Sequence, residues 1–328
     1  MRTLRAAGVV VAVAALLVGC GSSSHRAAFT TRCGGVPASS PGGVAYAPHR
    51  LRVLATTSVP IDGPPLQAGS GSVWSASSVG LVRLSAAAVR PKIVVRAPIN
   101  DVVLAGGCVY ALSEATNRLI EFDPRVGKVT RRWALGGGGQ SLAAAAGEIY
   151  VAFSGSPPAV ERIDLRTGST RRASIGPASG LASDRAIAVG PAGVWVADGG
   201  SLYRLDRTTL SLKHSVSLAA SDIWFGDGSL WAASENPNGG VERLDPFSAR
   251  VLARVDSDAI QIAFSPRAVW LAAAAGPTAI DPVTAKREAW LSTTNVPSNG
   301  AGGIAVVGNQ VWTVYTDLSK LQRVLAGR

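Results

Sequence analysis

The chain is poor in the residues that most enzymes use. It has 328 residues but only three histidines, three cysteines and a single methionine, Met1. His25, His49 and His214 are thus its entire stock of side chains that titrate unperturbed near neutral pH. No GxSxG turn, HExxH pair, zinc-type cysteine spacing or phosphate loop is present, which removes the commonest hydrolase, metalloprotease and nucleotide-binding readings. The one glycine run, "LGGGGQS" at 135–141, carries no lysine and opens no helix pattern, so it reads as a loop between strands. Lysine is scarce as well, five against 27 arginines, a bias of codon composition in a GC-rich genome. The formal net charge is +11, yet the basic residues are scattered, with short pairs at Arg131–Arg132 and Arg171–Arg172. No nucleic-acid motif accompanies them, and no nucleic-acid partner is expected. The basic surface is either simply solvated or turned toward anionic lipid or cell-wall polymer. Charged residues make up 16% and hydrophobic ones 47%, the balance of a packed globular protein.

Long apolar runs are missing too. An uncharged run near the N-terminus, Ala6–Gly19, has 14 residues. As a helix it would reach about 21 Å, short of a ~30 Å bilayer core. After Arg2 and Arg5 it reads as the apolar part of a signal peptide, residues 1–19. The "LVGC" that follows resembles the bacterial lipobox, with Leu17 and Gly19 at the positions that precede a lipidated cysteine, Cys20. The expectation is a protein lipid-anchored to the cell membrane on its extracytoplasmic face, since several acyl chains on one cysteine anchor stably. Residues 20–49, rich in Ser, Gly, Pro and Ala, read as a tether. With Cys20 acylated, Cys33 and Cys108 are left. They either pair, pinning the tether to the domain, or stay as two thiols, and the sequence leaves both open.

What is present is a repeat. An aromatic recurs in "GSVW" (Trp74), "GCVY" (Tyr110), "GEIY" (Tyr150), "AGVW" (Trp195), "GSLW" (Trp231), "RAVW" (Trp270) and "NQVW" (Trp312). A period near forty residues with short alternating strands predicts a β-propeller of four-stranded blades. The expected fold class is therefore all-β, a seven-bladed propeller over 50–328, monomeric. A single large ring at one place in each second strand is expected to fill the wedge between blades. The third strand of many repeats ends on an aspartate: Asp123, Asp164, Asp206, Asp245, Asp281. These read as turn residues whose carboxylates cap backbone N–H groups. The last repeat stops after its third strand, and "HRLRVLATTSVP" (49–60) looks like a fourth strand without the first three. Pairing the two would close the ring.

The repeat "G-x-V-W-V … R-I-D-P-x-T-G" resembles the YVTN/YncE-like and virginiamycin B lyase-like seven-bladed propellers over residues 50–328. Lyases of that kind imply a histidine base with carboxylate-bound magnesium on one face. His214 falls on an outer strand, so the lyase activity is not carried over. No catalytic residue and no metal ligand is assigned. The candidate ligand site is the channel mouth, built by loops between blades and between second and third strands. It collects Asp101, Gln140, Ser141, Asp184, Arg185, Asp222, Glu235, Asn236, Asp258 and Asn299. Such a mouth suits an envelope protein, glycan or peptide partner. No cofactor is expected, with Ca²⁺ or Mg²⁺ kept open because convergent oxygens could hold either. The favoured function is non-catalytic binding or scaffolding in the bacterial cell envelope; the alternative is a metal-assisted lyase or hydrolase at the same mouth.

Overall fold

The computed structural model describes residues 51–326, except 62–64, 86–89, 156, 177–184, 199, 235–239, 267, 274–275, 292–300 and 316–317. Within them the chain forms seven four-stranded antiparallel sheets. Six are consecutive in sequence, each running from an innermost strand outward. The innermost strands of these blades 1 to 6 are Leu66–Gly69, Asp101–Ala105, Gly139–Ala145, Ala186–Gly190, Ala220–Gly226 and Gln261–Phe264. Blade 7 is composite. It runs Ala301–Val307, Gln310–Tyr315, Lys320–Ala326 and then Leu51–Ser58 from the other end of the chain. Leu51 lies opposite Ala326 and Ser58 opposite Lys320, with a bulge between Val53 and Ala55. The expected closure is thus present.

The hairpins follow from local chemistry. Ser70–Gly71, Gly106–Gly107 and Asp227–Gly228 join first to second strands with both residues at positive φ. That is the two-residue turn whose twist matches the strands it joins. The turns between third and fourth strands are set by the repeated aspartates. In blade 6, Asp281 Oδ1 accepts the N–H of Val283 at 2.8 Å and of Thr284 at 2.6 Å. Asp164, Asp206 and Asp245 each accept two N–H groups in the same way, and Asp123 accepts that of Arg125. Backbone N–H groups pointing at the carboxylate hold Asp206, Asp245 and Asp281 below the usual aspartate range.

The core is seven separate apolar clusters, one per blade-to-blade interface. Each holds one repeat aromatic: Trp74, Tyr110, Tyr150, Trp195, Trp231, Trp270 or Trp312. All seven are buried, and three indoles donate their N–H to backbone carbonyls: Trp74 to Gly69 O (3.1 Å) and Trp231 to Gly226 O (3.3 Å) within their own hairpins, and Trp195 to Pro246 O (3.0 Å) of the next blade. The aromatics are therefore structural wedges. Trp312 lies in the cluster that joins blade 7 to blade 1, the seam of the ring.

Two outcomes are expected. Trp312→Ala should cost about 3–5 kcal/mol, the loss typical of a buried ring, in denaturant unfolding at neutral pH. Asp281→Ala should cost about 1 kcal/mol at pH 7. Because the folded state lowers that pKa, the contribution is complete above the unfolded aspartate value. It vanishes as pH falls through the folded one, so the difference between wild type and variant should shrink on acidification below the unfolded aspartate value.

Candidate functional site

Register across the ring shows what faces the channel. In each blade the repeat aromatic pairs with one innermost-strand residue: Gln67, Val103, Ala143, Ala188, Trp224, Ala263 or Ala305. The residue before it is always a branched aliphatic: Leu66, Val102 and Leu142 in blades 1 to 3, then isoleucine at 187, 223, 262 and 304. Each of these is at most 4% exposed. They form a continuous apolar belt across the channel. One residue further, toward the loops between blades, the layer is polar: Asp101, Ser141, Asp222 and Gln261, with Pro65, Ala186 and Gly303 completing it.

Asp101 and Asp222 stand on blades 2 and 5, across the channel from one another. Asp101 Oδ1 accepts Val102 N at 2.7 Å, and Oδ2 accepts Leu142 N of the next blade at 2.6 Å. Asp222 Oδ1 accepts Ile223 N at 2.8 Å. Both carboxyls are half-buried: they touch the channel but have protein on every other side. Enclosure pushes the Asp101 carboxyl up to about 7, against the hydrogen bonds from Leu142, Val102 and Ser141. Enclosure likewise pushes Asp222 up to about 8, against the bond from Ile223, and the charge of Asp101 adds to the rise. Near neutrality this pair holds protons that an approaching cation would displace.

The remaining sequence candidates divide. Ser141 shares the Asp101 layer, and Gln140 Oε1 accepts Arg185 N at 3.1 Å, tying blade 3 to blade 4. Arg185 is turned inward and buried. Its Nε donates to Asp198 Oδ1 at 3.0 Å, and its terminal nitrogens donate to Phe153 O and Gly155 O. A guanidinium committed to a buried partner and two carbonyls is an inter-blade tie, not a group offered to a ligand. Asp258 lies in the segment between blades 5 and 6, outside the paired strands. Asp184, Glu235, Asn236 and Asn299, like Cys20 and Cys33, lie outside the described residues. Cys108, buried at the start of its strand, is disulfide-bonded. His214 sits on the outer strand Leu212–Ser217, edge-on to Trp195. Among the described residues, no group of three His, Cys, Asp or Glu side chains is placed to hold a metal ion. No helix among them is long and apolar enough to cross a membrane.

Gln261 is the residue that sequence reading missed. Its Oε1 accepts Ile304 N at 2.8 Å and Leu66 N at 3.1 Å, while Nε2 donates to Leu66 O at 2.9 Å. One amide thus joins blades 6, 7 and 1. It reaches blade 1 because blade 7 has Gly303 there, where a Cβ would crowd Gln261 Oε1 at 3.0 Å. The available signal was register, since Gln261 aligns with Asp101 and Asp222.

No protein-family model matches the chain, and no curated protein matches it. Solved structures do. A chain in the crystal structure of a mitotic checkpoint complex superposes with a TM-score of 0.67 at 11% identity, covering 90% of this chain and 97% of that one. The WD40 domain of Neurospora crassa Pan2 gives 0.67 at 11% identity, covering 87% and 97%. At such identity the likeness shows the fold, a seven-bladed propeller, and nothing finer.

The acid pair generates a pH prediction. With folded pKa values raised, the native state holds two protons that the unfolded chain releases near pH 4. Stability contributed by these groups is therefore complete at low pH and is lost as pH rises from about 4 through about 8. The double variant Asp101→Asn/Asp222→Asn should lose this slope. Its melting temperature should gain on wild type steadily between pH 5 and 8.5.

Proposed function

We propose that the protein is a non-catalytic binding or scaffolding propeller of a bacterial cell envelope. In this reading Cys20 carries a lipid anchor, residues 20–49 are the tether, and the YVTN-like repeat domain faces away from the cytoplasm. The observation that carries the binding role is the channel mouth. Two opposed, enclosed carboxyls, with Ser141 beside them, offer hydrogen bonds when protonated and a negative site when ionised. The fit is to a partner presenting a basic group, a peptide segment above all. Propellers lend themselves to such use: one of the similar chains was solved within a multi-protein complex. The fold alone does not dictate it.

The test uses the full chain in detergent micelles, titrated by calorimetry with an oligolysine peptide and separately with Ca²⁺ and Mg²⁺. Peptide binding should strengthen from pH 5.5 to 8.5 as the carboxyls ionise. It should weaken at least tenfold in Asp101→Asn/Asp222→Asn. Binding indifferent to those substitutions would remove the mouth from consideration. Stoichiometric metal binding lost with the acids would favour the metal-assisted alternative. In cells, Cys20→Ser should move the protein from the membrane to the soluble fraction; unchanged membrane retention would sink the anchor.

A further inference from the structure

Below the aliphatic belt, on the side away from Asp101 and Asp222, the channel widens into a chamber of about 700 Å³. This lies within the usual range of small-molecule pockets, roughly 300–1,000 Å³. No charged residue lines it; Gln67, Ser70 and the Trp224 indole are its polar side chains, and backbone groups of the innermost strands add further polar surface. Ser70 donates its hydroxyl to Gly107 O. The Gln67 amide, half-buried in the wall, has no hydrogen bond within the described residues. Five of the belt residues, Leu66, Ile187, Ile223, Ile262 and Ile304, are part of its lining.

The walls differ between halves. Blades 5 and 6 supply three rings, Trp224, Phe225 and Phe264, all half-buried and facing the space. Glycines fix two of them. A Cβ on Gly190 would run into the Phe225 ring, and one on Gly226 into the Phe264 ring, so each ring lies flat over the preceding blade's glycine. Blades 7, 1, 3 and 4 contribute small or branched aliphatics, including Val306, Ala68, Ala144 and Val189. A charged molecule would find no countercharge there. A flat ring gains stacking on one side, aliphatic contact on the other, and one amide for a polar substituent.

We propose that this chamber is a binding site for a neutral, flat, largely apolar molecule bearing a single hydrogen-bonding group, of the phenol class. It enters from the face of the turns between first and second strands, opposite the mouth considered above. The reading is independent of the proposed function, because its face and its probe are different and its disabling variants, at Ala263 and Val306, lie elsewhere.

The probe is N-phenyl-1-naphthylamine, a neutral flat fluorophore with one N–H, titrated into the purified full chain in detergent micelles, with protein-free micelles subtracted. One saturable site per chain is expected. Ala263→Trp should fill the space and Val306→Asp should place a charge in it. Each should weaken binding at least tenfold while retaining a cooperative melt, and Asp101→Asn/Asp222→Asn should leave the affinity unchanged. Should Ala263→Trp fail to fold, Val306→Asp carries the comparison. Absence of saturable binding, several equivalent sites, or unchanged affinity in a folded chamber variant would overturn the proposal.

Discussion

A propeller blade has two apolar faces, and only a neighbour on each side can cover them. In a ring this demand has no natural end, so the chain must supply a joint where its own termini meet. Here the joint is the antiparallel pairing of Leu51–Ser58 with Lys320–Ala326. Everything else rests on it. It completes blade 7, which brings Trp312 against blade 1, which in turn lets Gln261 span from blade 6 to Leu66. A polar side chain therefore ties the three blades around the seam together.

The fold was legible because its signals repeat. Seven aromatics at one register, aspartates before turns and an orphan fourth strand each have one physical cause acting many times. The channel was less legible because its pattern runs around the ring and not along the chain. The layer holding Asp101, Ser141, Asp222 and Gln261 appears only when strands are aligned by their pairing. Bulges at Gln140, Ser221 and Gly302 shift the simple alternation in three of the seven strands. Arg185 illustrates a different limit. A charged residue in a loop looks like surface, and only the buried Asp198 on the adjoining strand reveals that it is tied inward.

The electrostatics are divided by depth. Arginines dominate the outer strands, as at Arg131, Arg132, Arg171, Arg172 and Arg254. Outer strands expose unpaired edges, and positive charge there discourages edge-to-edge association. The channel holds the reverse: two acids at one end, no charge in the chamber at the other, and a belt of aliphatic side chains between them. A strongly basic chain thus presents different chemistry to partners on its rim and on each end of its axis.

The closing strand also has a mechanical meaning. A load applied at Leu51 itself enters the domain at the outermost strand of blade 7, opposite Ala326, and not at the channel or a turn. Cys108 is disulfide-bonded and both other cysteines precede Leu51, so force from beyond that bond would pass to blade 2 instead. A steady pull directed along that strand would shear its paired positions together. A pull directed outward would peel them one at a time from Leu51. The resistance of this latch to a load at Leu51 would therefore depend on the direction of pull, while the disulfide shields it from a load applied further out.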